Sequence, residues 1–328
     1  MKTLIVLCAG GTIVNDKPIY LNTHPDGGLI AKKAIENIYQ ETYDRVIYTI
    51  LDRECYEYDA DVILSNELRA TREIEIVRLE ELTKGPADTV YKTIKAANIE
   101  GSIAIRDSLG SMELTERLEG NFIVGLNLLT YNDSIQRIKS KGFIVANEQN
   151  IVLDFMEKRF CSDIISAGLY GFKKGDDFIE SYLRLSDPAY NIPRVSVGHV
   201  MEHLIGYKDR KFKLGYTQVF EDWGDQIAWY EMQRKRATVF IDLDSMLANK
   251  KIDALSEKTI KKMRIVSQNG MRFVFYYAGM TQDSIAEFRR FLVDNDIEYI
   301  AFIDRKSQSK EKYFVNSEED FDKITLGL

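Results

Sequence analysis

The sequence predicts a two-domain α/β protein, and three observations carry that expectation. Apolar strand-like runs alternate with amphipathic stretches from the first residues onward, the pattern of βαβ units and so of a parallel sheet. A fresh series of strand and helix begins at ATVFIDLDSML, after residue 236. The chain has 328 residues, more than the ~250–300 at which a single core stops growing. The boundary falls near residues 233–237, which gives domains of 1–235 and 236–328.

Each element follows from its own pattern. TLIVLCA is a buried strand that ends in the pair Gly10-Gly11. LIAKKAIENIY sets Leu29, Ile30, Ala34, Ile35 and Ile38 on one helical face, and DRVIYTIL is a second buried strand. EIEIVRL alternates as a strand, ADTVYKTIKAANI is helical, and GSIAIRDS is a short strand ending at Asp107. NFIVGLNLL and GFIVANEQNIVLDFMEK alternate and predict a more antiparallel region, followed by a short helix at VGHVMEHLIGY. In the second domain ATVFIDLDSML is a strand ending in two aspartates, and EKTIKKMRIVSQNG is a helix closed by a glycine. MRFVFYYA is a strand, DSIAEFRRFLVDND a helix capped by Asp283, and EYIAFID a strand. The stretch WGDQIAWYEMQRK offers Trp223, Ile227, Trp229 and Tyr230 for apolar contact between the domains.

Composition narrows the partners. A hydrophobic share of 45% with only five prolines describes a chain that buries a core throughout its length. The net charge of −7, with Lys/Arg interleaved among Asp/Glu, leaves no basic block to neutralise a phosphate backbone, so nucleic acid is excluded as a partner. Small phosphorylated ligands are not excluded, because a loop of backbone N–H groups binds them at any overall charge. Cys8, Cys55 and Cys161 are far apart and without Cys-x-x-Cys spacing, as in a reduced, cytoplasmic protein. The apolar opening stops at Gly10-Gly11 and no other run approaches 18 residues, so no membrane insertion is expected.

A glycine pair after a first strand lets the backbone turn tightly and aim its N–H groups at a ligand; alone, it is as readily an ordinary turn. In context, LCAGGTIVNDKP resembles the start of sugar-phosphate nucleotidyltransferases, whose glycine-rich loop cradles a nucleoside triphosphate. The resemblance implies nucleotide contacts at Ala9, Gly10, Gly11 and Thr12 and a catalytic Lys17 before Pro18. The arginine that the family carries inside this loop is absent. YLNTHPDGGLIAKKAIENI resembles the segment before the family's first long helix and implies that His24 contacts the acceptor or a phosphate. LTKGPADTVYKTI is similar to the base-recognising segment and implies a nucleotide contact at Gly85; a plain loop and helix cap at Gly85, Pro86 and Asp88 is the alternative.

Three further matches keep the family's order. SIAIRDS puts Asp107 at the carboxyl end of a buried strand, where open α/β sheets bind ligands, and the resemblance implies that it holds Mg2+. VLDFMEKRFCSDIISAGLYGF resembles the family's Glu-Lys motif, which implies that Glu157 and Lys158 orient a phosphorylated acceptor. FEDWGDQIAWYE resembles the segment that supplies a second metal ligand, here Asp222. Two carboxylates on one Mg2+ suit nucleotidyl transfer, because the ion offsets charge on the phosphate under attack. The resemblance runs over roughly residues 1–232 and implies a three-layer mixed-sheet domain of nucleotidyltransferase type.

The second domain resembles the haloacid-dehalogenase-like phosphatases, which implies a small, capless, Rossmann-like fold. Their first motif, Asp-x-Asp-Gly-Thr, corresponds to Asp242 and Asp244, with Ser245 and Met246 in place of Gly and Thr. The resemblance implies a nucleophile at Asp242 and an acid/base at Asp244. After the next strand the family carries Ser or Thr; this chain has Ala278-Gly279, with Thr281 further on. The lysine of the motif set is Lys306, Lys310 or Lys312, and Asn316-Ser317 stands where an acidic pair completes the metal site, with Glu318, Glu319 and Asp320 displaced. His199 and His203 lie four apart on one helical face, but no third ligand accompanies them, so a helix facing the acceptor site or a half-buried packing face is expected rather than a metal.

Together these expectations describe an enzyme that couples a nucleoside triphosphate, CTP favoured, to a phosphorylated small molecule or sugar phosphate with release of pyrophosphate, in surface-polysaccharide synthesis, beside a degenerate phosphatase-like domain. A phosphatase with a nucleotide-sugar-binding N-terminal domain and a non-catalytic binding protein are the alternatives. The oligomeric state is open, and a homo-oligomer is compatible with the sequence.

Overall fold

The computed structural model describes residues 1–69, 74–131, 135, 138–247, 255–268 and 270–304, and the chain divides into units Met1–Met232 and Gln233–Leu328. The first unit holds, in chain order, β1 (Lys2–Leu7), β2 (Ile13–Val14), β3 (Lys17–Pro18), α1 (Ile30–Lys33), β4 (Arg45–Leu51), α2 (Asp52–Tyr58), α3 (Ala60–Arg69) and β5 (Glu75–Leu79). It continues with α4 (Pro86–Ala96), β6 (Ser102–Arg106), β7 (Gly110–Leu114), β8 (Phe122–Asn127), β9 (Gly142–Ala146) and β10 (Val152–Glu157). The remainder is β11 (Ile164–Phe172), α5 (Gly175–Leu185), α6 (Val197–Gly206), β12 (Lys213–Asp222) and α7 (Gln226–Lys235), which runs into the second unit.

The main sheet has the order β5-β4-β1-β6-β11-β8-β12-β7, with the β9–β10 hairpin attached to β11. β5, β4, β1 and β6 are parallel, β11 is antiparallel to β6 and β8, and β12 is parallel to β8. The sheet is therefore mixed. Strand alternation explains why the first runs are apolar throughout. Leu4, Val6 and Cys8 enter a core with Ile30, Ile35 and Leu64, while Ile5 and Ala9 enter another with Val90, Phe178 and Met201. A strand with helices over both faces has no solvent side, so the period of two disappears from its hydropathy. The buried hydroxyls of Thr49 and Thr93 satisfy one another at 2.8 Å. At the sheet edge, β5 carries Glu75, paired by two hydrogen bonds with Arg45, and Arg78, paired with Asp61.

The helix expected over residues 29–39 is confined to Ile30–Lys33. Ile35 and Ile38 are buried as expected, but they reach the core through turns. Arg106 is the physical reason, because its Nε donates to the Ala34 carbonyl at 2.9 Å, a carbonyl that a continuing helix would use internally. The same guanidinium donates to Ala167 O at 2.8 Å, Ser108 Oγ at 2.8 Å and Gly110 O at 2.6 Å. Arg106 is 1% exposed and burial lowers its pKa to about 10. Within the first unit, Trp223 and Trp229 are buried in its own core.

The second unit holds β13 (Thr238–Asp242), α8 (Leu243–Leu247), α9 (Glu257–Gln268), β14 (Arg272–Tyr277), α10 (Gln282–Asp294) and β15 (Tyr299–Asp304). The three strands form a parallel sheet in sequence order, and Phe273, Phe275, Phe288 and Leu292 are buried among its core residues. The first strand ends at Asp242, so Asp244 belongs to the helix that follows. The cap of α10 is Thr281, whose hydroxyl accepts from Ser284 N, and not Asp283, which lies inside the first turn. Lys306, Lys310, Lys312, Asn316, Ser317, Glu318, Glu319 and Asp320 lie outside the described residues.

Replacing Arg106 by Lys keeps the charge but abandons most of the forked donors, leaving buried carbonyls unpaired. The variant should lose roughly 2–4 kcal/mol of stability in chemical denaturation of the first unit.

Candidate active site

A cavity of about 620 Å3 opens where the parallel neighbours β1 and β6 end. Cys8, Ala9, Gly10 and Thr12 form one side of it, and Leu82 to Gly85 with Pro86, the first residue of α4, form another. Asp107 and Ser108 follow β6 directly, and β11 faces them across an irregular stretch between Ser166 and Tyr170. Gly168 makes that irregularity feasible: its φ is +77°, and a Cβ there would stand 2.4 Å from Ser108 Oγ. The turn is closed by Asp107 N donating to Gly168 O at 2.9 Å.

Asp107 and Asp222 line this one cavity. Asp222 pairs across the sheet with Gly110, three residues past Asp107, and Arg106 feels both carboxylates. Their surroundings differ. Asp222 holds an ion pair with Lys141 and accepts from Gly224 N at 3.0 Å. For Asp107, burial first and the Glu157 charge second raise the pKa to about 7, against the pull of Arg106, Arg194 and Lys158. Burial also raises the Glu157 pKa, opposed by Lys158 and a hydrogen bond with Ser196. The Tyr170 hydroxyl accepts from Ser166 Oγ at 2.9 Å beneath these carboxylates.

The cavity thus gathers Ala9, Gly10, Thr12, Gly85, Asp107, Glu157, Lys158 and Asp222 from the residues expected to bind or to hold metal. Gly85 is placed by close approach, since a Cβ there would lie 2.7 Å from Val195 O. Asp88 accepts from Lys84 N at 2.9 Å and from the Tyr182 hydroxyl at 2.8 Å, which is the work of a loop clamp. Gly11, Lys17 and His24 are not lining residues. Lys17 lies on the β2–β3 hairpin, opposite Val14. His24 is 3% exposed, with its ring 4.7 Å from that of Trp223. His199 accepts from Ser196 N at 3.0 Å at the start of α6, and His203 stacks on Tyr207 at 5.5 Å, so the two histidines serve packing and capping.

The architecture around this cavity is similar to that of solved structures. A nucleoside-diphosphate-sugar pyrophosphorylase from Vibrio cholerae RC9 superposes with a TM-score of 0.57 at 14% identity, over 71% of this chain and 100% of that one. The fold is nucleotidyltransferase-like. The inositol-1-phosphate CTP transferase from T. maritima gives 0.53 at 13% identity, over 71% of this chain and 94% of its own. A UDP-glucose pyrophosphorylase complexed with UDP-glucose gives 0.52 at 13%, over 71% and 97%. No family profile matches the sequence, and no curated protein matches it either.

In this nucleotidyltransferase-like fold, Arg106, Lys141 and Arg194 are site residues that motif reading passed over. Arg106 left one trace, a charge inside the buried run SIAIRDS; Lys141 and Arg194 belong to no quoted motif. Among the described residues, no group of three or more His, Cys, Asp or Glu side chains is set to hold a metal. Mg2+ is commonly held by one or two carboxylates and completes its octahedron with water and substrate phosphates, so the oxygen donors of Asp107 and Asp222 fit that ion. No described helix is long and apolar enough to cross a membrane.

The raised pKa of Asp107 has a consequence for metal-free protein. The folded state holds a proton that the unfolded state releases near pH 4, so stability falls as pH rises from about 4 through about 7. Asp107→Asn should be more stable than wild type at pH 8 in EDTA, with the gap in thermal midpoint narrowing toward pH 4.

Proposed function

We propose that the first unit is a nucleotidyltransferase that joins a nucleoside triphosphate to a phosphorylated small molecule or sugar phosphate and releases pyrophosphate. The observation that carries this is that Asp107 and Asp222 line one cavity beside the glycine turn. The backbone of Ala9, Gly10 and Thr12 receives the triphosphate, and the loop at Gly85 meets the base. Glu157 and Lys158 orient the acceptor, and Arg194 joins Lys158 as a second cation for its phosphate. An oxygen of that phosphate attacks the nucleotide's α-phosphorus, the bond to the bridging oxygen breaks, and pyrophosphate leaves. Asp107 and Asp222 would hold Mg2+, which supplies charge neutralisation at the α-phosphate. The protein itself contributes binding and alignment, which suffice because no covalent intermediate is required.

CTP is the favoured nucleotide, cytoplasm the location and surface-polysaccharide synthesis the process served. Lys17 is retained as a phosphate ligand delivered by its hairpin. For the second unit we propose a haloacid-dehalogenase-like domain with reduced chemistry. Asp244, the acid/base of that comparison, accepts from the backbone N–H groups of Ala278 at 2.6 Å and Gly279 at 3.1 Å, so its carboxylate serves as a loop clamp.

Purified full-length protein, incubated with each nucleoside triphosphate, Mg2+ and a panel of phosphorylated acceptors, should release pyrophosphate with one pair. Asp107→Ala or Asp222→Ala should then lower kcat by ~10²-fold or more, the scale of a lost transition-state charge interaction. Absence of pyrophosphate with every pair would reject the assignment. Against sugar phosphates and p-nitrophenyl phosphate, wild type and Asp242→Asn should show the same low phosphate release; robust turnover abolished by Asp242→Asn would make the second unit an active phosphatase.

A further inference from the structure

The glycine turn has a cationic neighbour from another element. A Cβ built on Gly11 would stand 3.8 Å from Arg53 Nη2 and 3.1 Å from Leu82 Cδ2, and Leu82 lines the cavity. Arg53 therefore does not itself line the cavity but stands against the glycine loop, near Leu82, and that loop contains no basic residue before Lys17. The fold delivers it there. β4 is the parallel neighbour of β1, and α2 begins directly at the end of β4 with Arg53 as its second residue. The side chain is exposed, and among the described residues it has no hydrogen-bond or ion-pair partner. The nearby acid, Glu54, feels the Arg53 charge, but its hydrogen bonds are to the Tyr20 hydroxyl at 2.7 Å and Leu51 N at 3.2 Å. Gly10, beside it, has nothing within 4 Å of a projected Cβ, which is open space over a backbone that can receive an anion.

We propose that Arg53 holds the outer phosphates of the bound triphosphate, supplying from α2 the guanidinium that the loop lacks. The inference rests on the nucleotidyltransferase function proposed above. A triphosphate laid over Gly10, with its α-phosphate toward Asp107 and Asp222, extends its outer phosphates to the rim. A forked guanidinium matches two phosphate oxygens at once, which a lysine at the same place does not.

The test is titration calorimetry of full-length wild type, Arg53→Gln and Arg53→Lys with the four nucleoside triphosphates and the four monophosphates in Mg2+. For the triphosphate that wild type binds, Arg53→Gln should weaken affinity about 10- to 100-fold while the matching monophosphate changes by less than about twofold, and Arg53→Lys should recover part of the loss. Unchanged triphosphate affinity in Arg53→Gln overturns the proposal and leaves the function standing. Equal weakening of triphosphate and monophosphate also overturns it, since that outcome marks a structural role. Wild type that binds none of the eight nucleotides rejects the function itself, and this inference with it.

Discussion

A guanidinium withdrawn from water needs a partner for nearly every N–H it carries, and Arg106 finds them on three separate stretches of chain. It binds Ala34 from the segment after α1, Ala167 from the irregular part of β11, and Ser108 and Gly110 from the β6–β7 connection and the first residue of β7. Ala34 follows the short helix and Ala167 lies where the β11–β8 register breaks. One side chain therefore ties three stretches of chain to the end of β6. The floor of the cavity is the result. Asp107 is the next residue along the chain, and its direction follows from the clamp beneath it.

The two carboxylates near this guanidinium stand in different surroundings. Asp222 has an ammonium of its own in Lys141, while Asp107 shares its surroundings with Glu157 and Tyr170 and takes up a proton near neutrality. Two carboxylates in one cavity thus meet different electrostatic surroundings. A cation held by both would answer their charge. Lys158 and Arg194 act on Asp107 from the acceptor side, so positive charge surrounds the acids without cancelling them.

The strands were legible because burial on both faces leaves continuous apolar runs, and TLIVLCA, DRVIYTIL and GSIAIRDS each became a strand of the sheet. Residues 29–39 were misread for a related reason. Apolar spacing records which side chains are buried, and Ile35 and Ile38 are buried, but the backbone that buries them was decided by Arg106 from a distant strand. The aspartates at strand ends could be found because chain direction places carboxyl termini at the ligand edge. Arg53, Lys141 and Arg194 could not, since each reaches the cavity or the glycine loop through tertiary placement and carries no local signature. Thr281 shows the same limit at short range: hydroxyl and carboxylate two residues apart both read as caps, and the backbone selected the hydroxyl.

The charged pairs on β5 bear on how the molecule meets its own copies. An outer strand offers unpaired N–H and C=O groups that invite another strand to add to the sheet. Here an approaching chain would have to displace Glu75 from its forked bond with Arg45 and Arg78 from Asp61. Dehydrating those ions along with the backbone makes strand addition costly on this side. The pairs that staple β5 to its neighbours also act as a chemical fence, steering any self-association of the first unit away from sheet extension at β5.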